Sequence, residues 1–472
     1  MLASPELSIA ISCVALAVLI RTLIRVQSAL TGLTLLVLFS ISAASLAGFL
    51  WGRLWGLSEY WISPARYYVF GYSSLGVLGF VVGIAVAWHP LRGLGRVLRT
   101  GSSRTRFTYL GWANPSMIVF LLGVGVFGSL VSPLVRSIPT FGTAIAQLPG
   151  MLKLAVLVAI IYWRRSGNAG FLLLTLGAFI PLSIVYAMST GFTPLSMDLA
   201  LPALFVIASF SRFNVRSVLA LVAGGLILSQ LMFAWMNARW VIRNPEDIGN
   251  VSTAERRQIF FQVLTDKLLD FKPKPEVMQV LIVERLDHGQ FLAMQADYQP
   301  DTEPYQYGRT IVDGLFALVP RFLWPDKPRV AGGFEFVAQY TGLEHGDDDT
   351  AIGVPIQFEL YANGGPTFVI VGLTLVGWLM AWTERQIVTM PLRLPMLFLF
   401  LSLLLVSGNG ISQVSVVLTS FAILGGMLYG IGRMIEMTFP KLAQDLIGLR
   451  VSPQMPVTPL PEQSKPTGLV VR

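Results

Sequence analysis

The sequence predicts an all-α polytopic membrane protein with about eleven transmembrane helices, N-terminus outside and C-terminus inside. Three observations carry that expectation. Of the 472 residues 54% are apolar and only 13% charged, with a mean hydropathy of +0.65, which is too oily for a soluble enzyme of this length. The apolar residues gather into runs of about the 20 residues that a helix needs to cross a bilayer core. The basic residues gather in the short connections on one side of those runs.

In chain order the runs are Leu7–Ile24, Ala29–Leu50, Tyr68–Trp88, Ser116–Val135, Ala146–Trp163, Gly170–Met188, Phe192–Phe210, Val218–Trp235, Phe368–Trp382, Pro395–Val406 and Val414–Ile431. The tenth is the shortest. The connections that fall inside carry 18 lysines and arginines, among them Arg92, Arg96, Arg99, Arg104 and Arg106. The short outside connections carry Arg53, Arg66 and Arg136. That asymmetry sets the orientation. The first run follows Glu6 with no basic segment ahead of it, which favours a retained span over a cleaved signal peptide. The one cysteine, Cys13, rules out an intrachain disulfide, and with only three histidines a structural zinc site is disfavoured.

Between the eighth and ninth runs lies one long polar segment, 238–366, which holds 12 basic and 19 acidic residues; the remainder holds 22 and 7. The excess positive charge therefore belongs to membrane topology, and a nucleic-acid partner is not indicated. Four parts follow: a membrane domain, 1–237; an extracytoplasmic helical loop, 238–366; three further spans, 367–434; and an inside tail, 435–472. The tail becomes rich in proline and polar residues after about 450, where disorder is expected. Helical patterns in the loop fall at Thr253–Phe271, Pro275–Tyr298, Tyr307–Leu318 and Gly333–Tyr340. No internal repeat of the transporter kind is visible.

The chemistry-bearing residues concentrate in that loop. In 308–329, GRTIVDGLFALVPRFLWPDKPR, Pro320 and Pro325 should end a helix and hold Arg321, Lys327 and Arg329 in fixed geometry. Fixed cations suit an anion such as phosphate, or equally a turn resting on lipid headgroups with Trp324 as anchor. In VPIQFELYANGG, Glu359 sits among apolar and aromatic residues, where desolvation would suit its carboxyl to proton transfer; the alternative is an ion pair with an arginine. Gly364 and Gly365 should form the turn into the ninth span. In VERLDHGQ, Arg285 and His288 are three apart on a helical face and could flank a ligand, or belong to a solvated charged face. Arg309 and Asp313, four apart, could simply pair. Lys153 and Asp198 are the ionisable residues within spans, each close enough to an end to snorkel. The acidic tip Glu344–Asp349 could hold a hard cation, though its spacing is not that of an EF-hand and a solvated turn is the plainer reading.

The ordered series ERL, YxYGRT, VPRFLWPDKP, GGFEFVAQYTG and VPIQFELYANGG followed by a membrane run resembles bacterial polysaccharide repeat-unit polymerases of the Wzy, or O-antigen polymerase, type. The motifs span about residues 284–380, and the first eight runs match only in number and hydropathy. The resemblance implies a GT-C-like glycosyltransferase of the bacterial inner membrane, working at its periplasmic face. It would move a growing glycan from undecaprenyl pyrophosphate to a sugar hydroxyl of the next lipid-linked repeat unit, with no nucleotide sugar, cofactor or metal. Glu359, with His288 second, would be the base; Arg285, Arg309, Arg321 and Lys327 would stabilise the departing pyrophosphate, and Tyr361 would contact substrate. Relatives read GExYxNFG where this chain has FELYANGG, so Glu359 and Tyr361 carry over more directly than Asn363. Implied partners are the lipid-linked oligosaccharide, membrane lipids, and a chain-length regulator and flippase of the same pathway.

Three other readings stand beside it. A ligase would transfer finished glycan from the same carrier to another acceptor. A lipid-linked sugar transporter or flippase should show broken helices and charges along a central path. A scaffold would tolerate loss of Arg321 or Glu359.

Overall fold

A computed structural model describes residues 64–88, 111–135, 148–190, 253–269, 288–316, 334–343, 354–389, 392–407 and 413–448, with scattered single positions elsewhere. The first, second and seventh runs, most of the eighth, Arg285, Arg321, Lys327, Asp198, the acidic tip and the tail beyond 448 lie outside the described residues. Among the described residues every regular element is an α-helix.

In chain order these are α1 (Pro64–Trp88), α2 (Pro115–Val135), α3 (Gly150–Ser166), α4 (Gly170–Thr190), α5 (Thr253–Leu269), α6 (Gly289–Tyr298), α7 (Arg309–Phe316), α8 (Phe334–Thr341), α9 (Ile356–Thr389), α10 (Leu394–Ser407), α11 (Val414–Thr438) and α12 (Pro440–Ile447). Four stretches are long and apolar enough to cross a membrane: Tyr68–Ala87, Pro115–Ser132, Ile356–Ile387 and Val414–Thr438. Leu130, Leu134, Leu173, Val185, Val371 and Leu375 are each more than half exposed on these helices and on α4. Such outward apolar faces fit a membrane protein, where they meet hydrocarbon instead of water.

Helix ends follow from local chemistry. Proline opens α1, α2 and α12, where its missing N–H is no loss. Asn114 caps α2 by accepting from the Met117 amide at 2.9 Å. Its amide nitrogen also donates to the carbonyls of Asp445 and Leu446 at 3.0 and 3.1 Å, so one side chain closes the start of α2 and the end of α12. Gly167, at φ 74°, ends α3 just after Arg164 and Arg165, which face the negative end of the helix dipole.

The most extensive helix pair is α1 against α9. Gly76, Gly79 and Gly83 recur at three- and four-residue spacing on α1, and a Cβ on Gly83 would lie 2.7 Å from the Trp378 backbone nitrogen. Gly377 answers from α9, where a Cβ would lie 3.0 Å from Phe80 Cα. Without a hydrophobic drive between helices in lipid, close backbone approach through small residues supplies the packing. Elsewhere α10 lies along α11, and α2 joins them through Phe120 and Phe398, stacked with centroids 5.4 Å apart.

Two expectations change. The ninth run is read as starting at Phe368, but the helix starts at Ile356: the VPIQFELYANGG element is itself helical and continues into the span through a break at Gly364 and Gly365. A continuous helix over Pro275–Tyr298 does not hold either, because His288, at φ −99° and ψ 7°, is a cap and α6 begins only at Gly289.

Candidate functional site

The break in α9 explains why two separate motifs meet. Gly365 takes φ 64°, open to glycine at little cost, and Pro366 follows without an N–H to donate. Helical bonding stops there, which strands the last carbonyls of the outer half of α9. The amides of Gln306 and Tyr307 donate to the carbonyls of Ala362 and Asn363 at 2.9 and 2.8 Å. The chain then turns sharply, with Tyr307 at φ 49° and Gly308 at φ 91°, and α7 starts at Arg309. The expected helix from Tyr307 is shortened by that turn, because positive φ is incompatible with a right-handed helix.

Inside the junction the side chains of Asn363, Thr310 and Glu359 bond to one another. Asn363 accepts from the Gly308 amide at 2.7 Å and donates to the Thr310 hydroxyl at 2.7 Å and to the Glu359 carbonyl at 2.8 Å. Thr310 in turn donates to Glu359 Oε1 at 3.0 Å. The other carboxyl oxygen, Oε2, accepts from the Ser415 amide at 3.0 Å, in the first turn of α11. Glu359 thus caps α11 from a different helix, the placement the helix dipole favours for a carboxylate. Thr419 on α11 completes the contact by donating to the Gly314 carbonyl at 2.7 Å.

Glu359 is 0% exposed, and among the described residues no cation pairs with it. Through the Thr310 hydroxyl and the Ser415 amide it locks α7, α9 and α11 together. Tyr361, 2% exposed, also lies behind the surface. It packs on Tyr72 and Tyr305, with centroids 5.2 and 6.1 Å away, in an aromatic cluster that continues through Tyr72 to Tyr68 on α1.

In front of the junction is a cavity of about 640 Å³ lined by Glu303, Pro304, Tyr305, Gln306, Arg309, Thr310, Asp313, Phe336, Gln339, Tyr340 and Ser415. Gln295, fully buried on α6, ties that helix to the outer half of α9 by donating to the Phe358 carbonyl at 3.0 Å. Arg309 reaches the cavity and lies 3.7 Å from Asp313, the pairing that the four-residue spacing suggested. Glu303 is held between two amides, accepting from Gln306 at 3.3 Å and Gln339 at 3.2 Å. Burial, reinforced by Glu303, Glu359 and Asp313, holds the Tyr340 phenol well above its usual range, so it stays protonated as a hydrogen-bond donor.

Of the residues singled out from sequence, the structure brings Arg309, Asp313, Glu359, Tyr361 and Asn363 to this junction, with Arg309 and Asp313 on the cavity. His288 caps α6 and is not among the lining residues. Lys153 is half-buried in the first turn of α3. Trp324 is 38% exposed and stands edge-on to Phe316 at 5.5 Å. Sequence reasoning passed over Glu303, Tyr305, Gln339, Tyr340 and Ser415. The YxYGRT and FEFVAQYTG motifs contain three of these, Tyr305, Gln339 and Tyr340, but nothing local marks Ser415, whose role depends on a contact 56 residues away. Among the described residues no group of three or more metal-ligating side chains occurs.

Helical throughout the described residues, with helices long and apolar enough to cross a membrane and a polar cavity beside a broken one, the chain has the features of a helical membrane protein. The chain belongs to the family described as a domain of unknown function, DUF8712, which matches residues 97–382 and so takes in α2 through most of α9, including nearly all of the cavity. No curated protein and no solved structure matches it.

Proposed function

We propose that the chain is a lipid-linked glycan polymerase of the Wzy kind. It would have about eleven spans in a GT-C-like arrangement, N-terminus out and C-terminus in, with the cavity at the periplasmic face of the inner membrane. One observation carries the reading: YQYGRT and FELYANGG, two motifs of the resemblance, are bound to each other through Asn363, Thr310 and Glu359 and together back a cavity beside helices of membrane length. That setting suits a substrate whose lipid stays in the bilayer while its headgroup reacts at the surface.

In the reaction, an acceptor sugar hydroxyl attacks the anomeric carbon of the growing chain. The new carbon–oxygen bond forms as the bond to pyrophosphate breaks, its electron pair leaving on the pyrophosphate oxygen, and the hydroxyl proton passes to a carboxylate. Glu303 and Asp313 line the cavity and are placed for that proton; Glu359, enclosed and hydrogen-bonded at both oxygens, is a positioning residue. Of the four cations that the resemblance implies for the departing pyrophosphate, Arg309 lies 3.7 Å from Asp313, and Arg285, Arg321 and Lys327 are assigned to its growing charge in the transition state. A single displacement of this kind inverts the anomeric centre.

Lipid-linked glycan extracted from a deletion strain tests the proposal. Accumulated single repeat units are expected. Long unligated chains would assign the chain to a ligase, and unchanged lipid-linked glycan would remove it from the pathway.

A further inference from the structure

The geometry points to the cavity beside α7 as a subsite for an uncharged, hydroxyl-rich sugar of the acceptor unit, with Glu303 and Asp313 excluding phosphate and acidic sugars. The acceptor role rests on the polymerase reading; the ligand's chemistry rests on the lining itself. Among the described residues one cation, Arg309, faces two carboxylates in the lining, and it already lies 3.7 Å from Asp313. A dianionic phosphate would meet a net negative wall, and like charges brought together across a binding surface strongly disfavour association.

The remaining groups suit hydroxyls. Among the described residues both hydrogen bonds to Glu303 fall on Oε1, which leaves Oε2 to accept from a ligand. The Tyr340 hydroxyl, kept protonated, can donate. Phe336, half-buried and held edge to face by Tyr340 at 5.0 Å, offers the apolar surface on which the C–H face of a pyranose packs. Polar groups fixed around an aromatic wall are the usual makings of an orienting small-molecule site. The junction behind the cavity fixes Arg309, Thr310 and Asp313 on one short helix, so the lining is organised before any ligand arrives.

Saturation-transfer NMR on the full chain in lipid nanodiscs tests this. The probes are the methyl glycosides of glucose, galactose, mannose, rhamnose, N-acetylglucosamine and N-acetylgalactosamine, with methyl glucuronide and inorganic pyrophosphate as anions. At least one neutral glycoside should bind, undisplaced by pyrophosphate. Glu303→Gln should weaken it about tenfold or more, as expected for losing a hydrogen bond to a charged group. The double variant Glu303→Gln/Asp313→Asn should gain pyrophosphate binding through the released Arg309, a gain that only folded protein can show. The proposal is overturned if no neutral glycoside binds, if pyrophosphate competes with it in the unaltered chain, or if the double variant gains nothing. Product ladders from lipid-linked units without glycoside binding would sink the subsite and leave the polymerase; glycoside binding without ladders would do the reverse.

Discussion

Thr310→Val is close to isosteric and removes one hydroxyl from the centre of the junction. That hydroxyl donates to Glu359 at 3.0 Å and accepts from Asn363 at 2.7 Å, so the change leaves two buried groups each short of a partner. A buried polar group losing its partner costs about 1–3 kcal/mol. Because Glu359 and Asn363 are also bonded to each other, at 2.8 Å, the two losses are not independent. Allowing for that overlap, the joint cost comes to about 2–4 kcal/mol. The loss falls on the clasp among α7, α9 and α11, and local opening should report it. In hydrogen–deuterium exchange on protein in nanodiscs, a loss of about 2 kcal/mol speeds exchange of the 306–316 amides about 30-fold. The amides of 151–161 in α3 should be unchanged, and Thr310→Ser, which keeps the hydroxyl, should behave like the unaltered chain. A change of less than about threefold at 306–316, or an equal change in α3, would refute the clasp.

Other outcomes follow from single sites. Gly365→Ala should cost more than Gly167→Ala in thermal unfolding: both glycines have left-handed φ, worth about 1–2 kcal/mol, but only at Gly365 would the new Cβ also meet a neighbour, the Tyr305 hydroxyl at 2.8 Å. Gly83→Leu should abolish monodisperse protein in size-exclusion chromatography, because the backbone of α9 blocks the side chain, while Gly123→Leu, with nothing within 4 Å, should be tolerated; equal behaviour would contradict the α1–α9 packing. Tyr340 binds its proton more tightly folded than unfolded, so its contribution to stability is complete below about pH 10 and is lost as pH rises beyond that. Tyr340→Phe should accordingly flatten part of the alkaline fall in unfolding temperature, and an unchanged profile would show that the phenol is not perturbed.

The helices were legible where chemistry is local. Apolar runs located α1 to α4, α10 and α11, and prolines and glycines marked several ends. The junction was legible only in part. YQYGRT and FELYANGG stood out as motifs, but their mutual bonding depends on helical carbonyls freed at Gly364 and Gly365, a tertiary consequence that no spacing encodes. Glu359 reads from sequence as a carboxylate in an apolar setting, which is correct, yet its partners Thr310 and Ser415 are 49 and 56 residues distant. Periodicity likewise puts Arg285 and His288 on one helical face; His288 is the cap residue of α6, and Arg285 lies outside the described residues. The sequence marks Asp313 only as a partner for Arg309 and does not mark Glu303 at all; the fold sets both on one cavity.

Reconstitution tests the central claim most directly: purified chain in liposomes, given one lipid-linked repeat unit and neither nucleotide sugar nor metal. A ladder of glycans differing by one repeat unit is the predicted result. No ladder, with the lipid-linked unit shown to be bound, would contradict glycan polymerisation as the function.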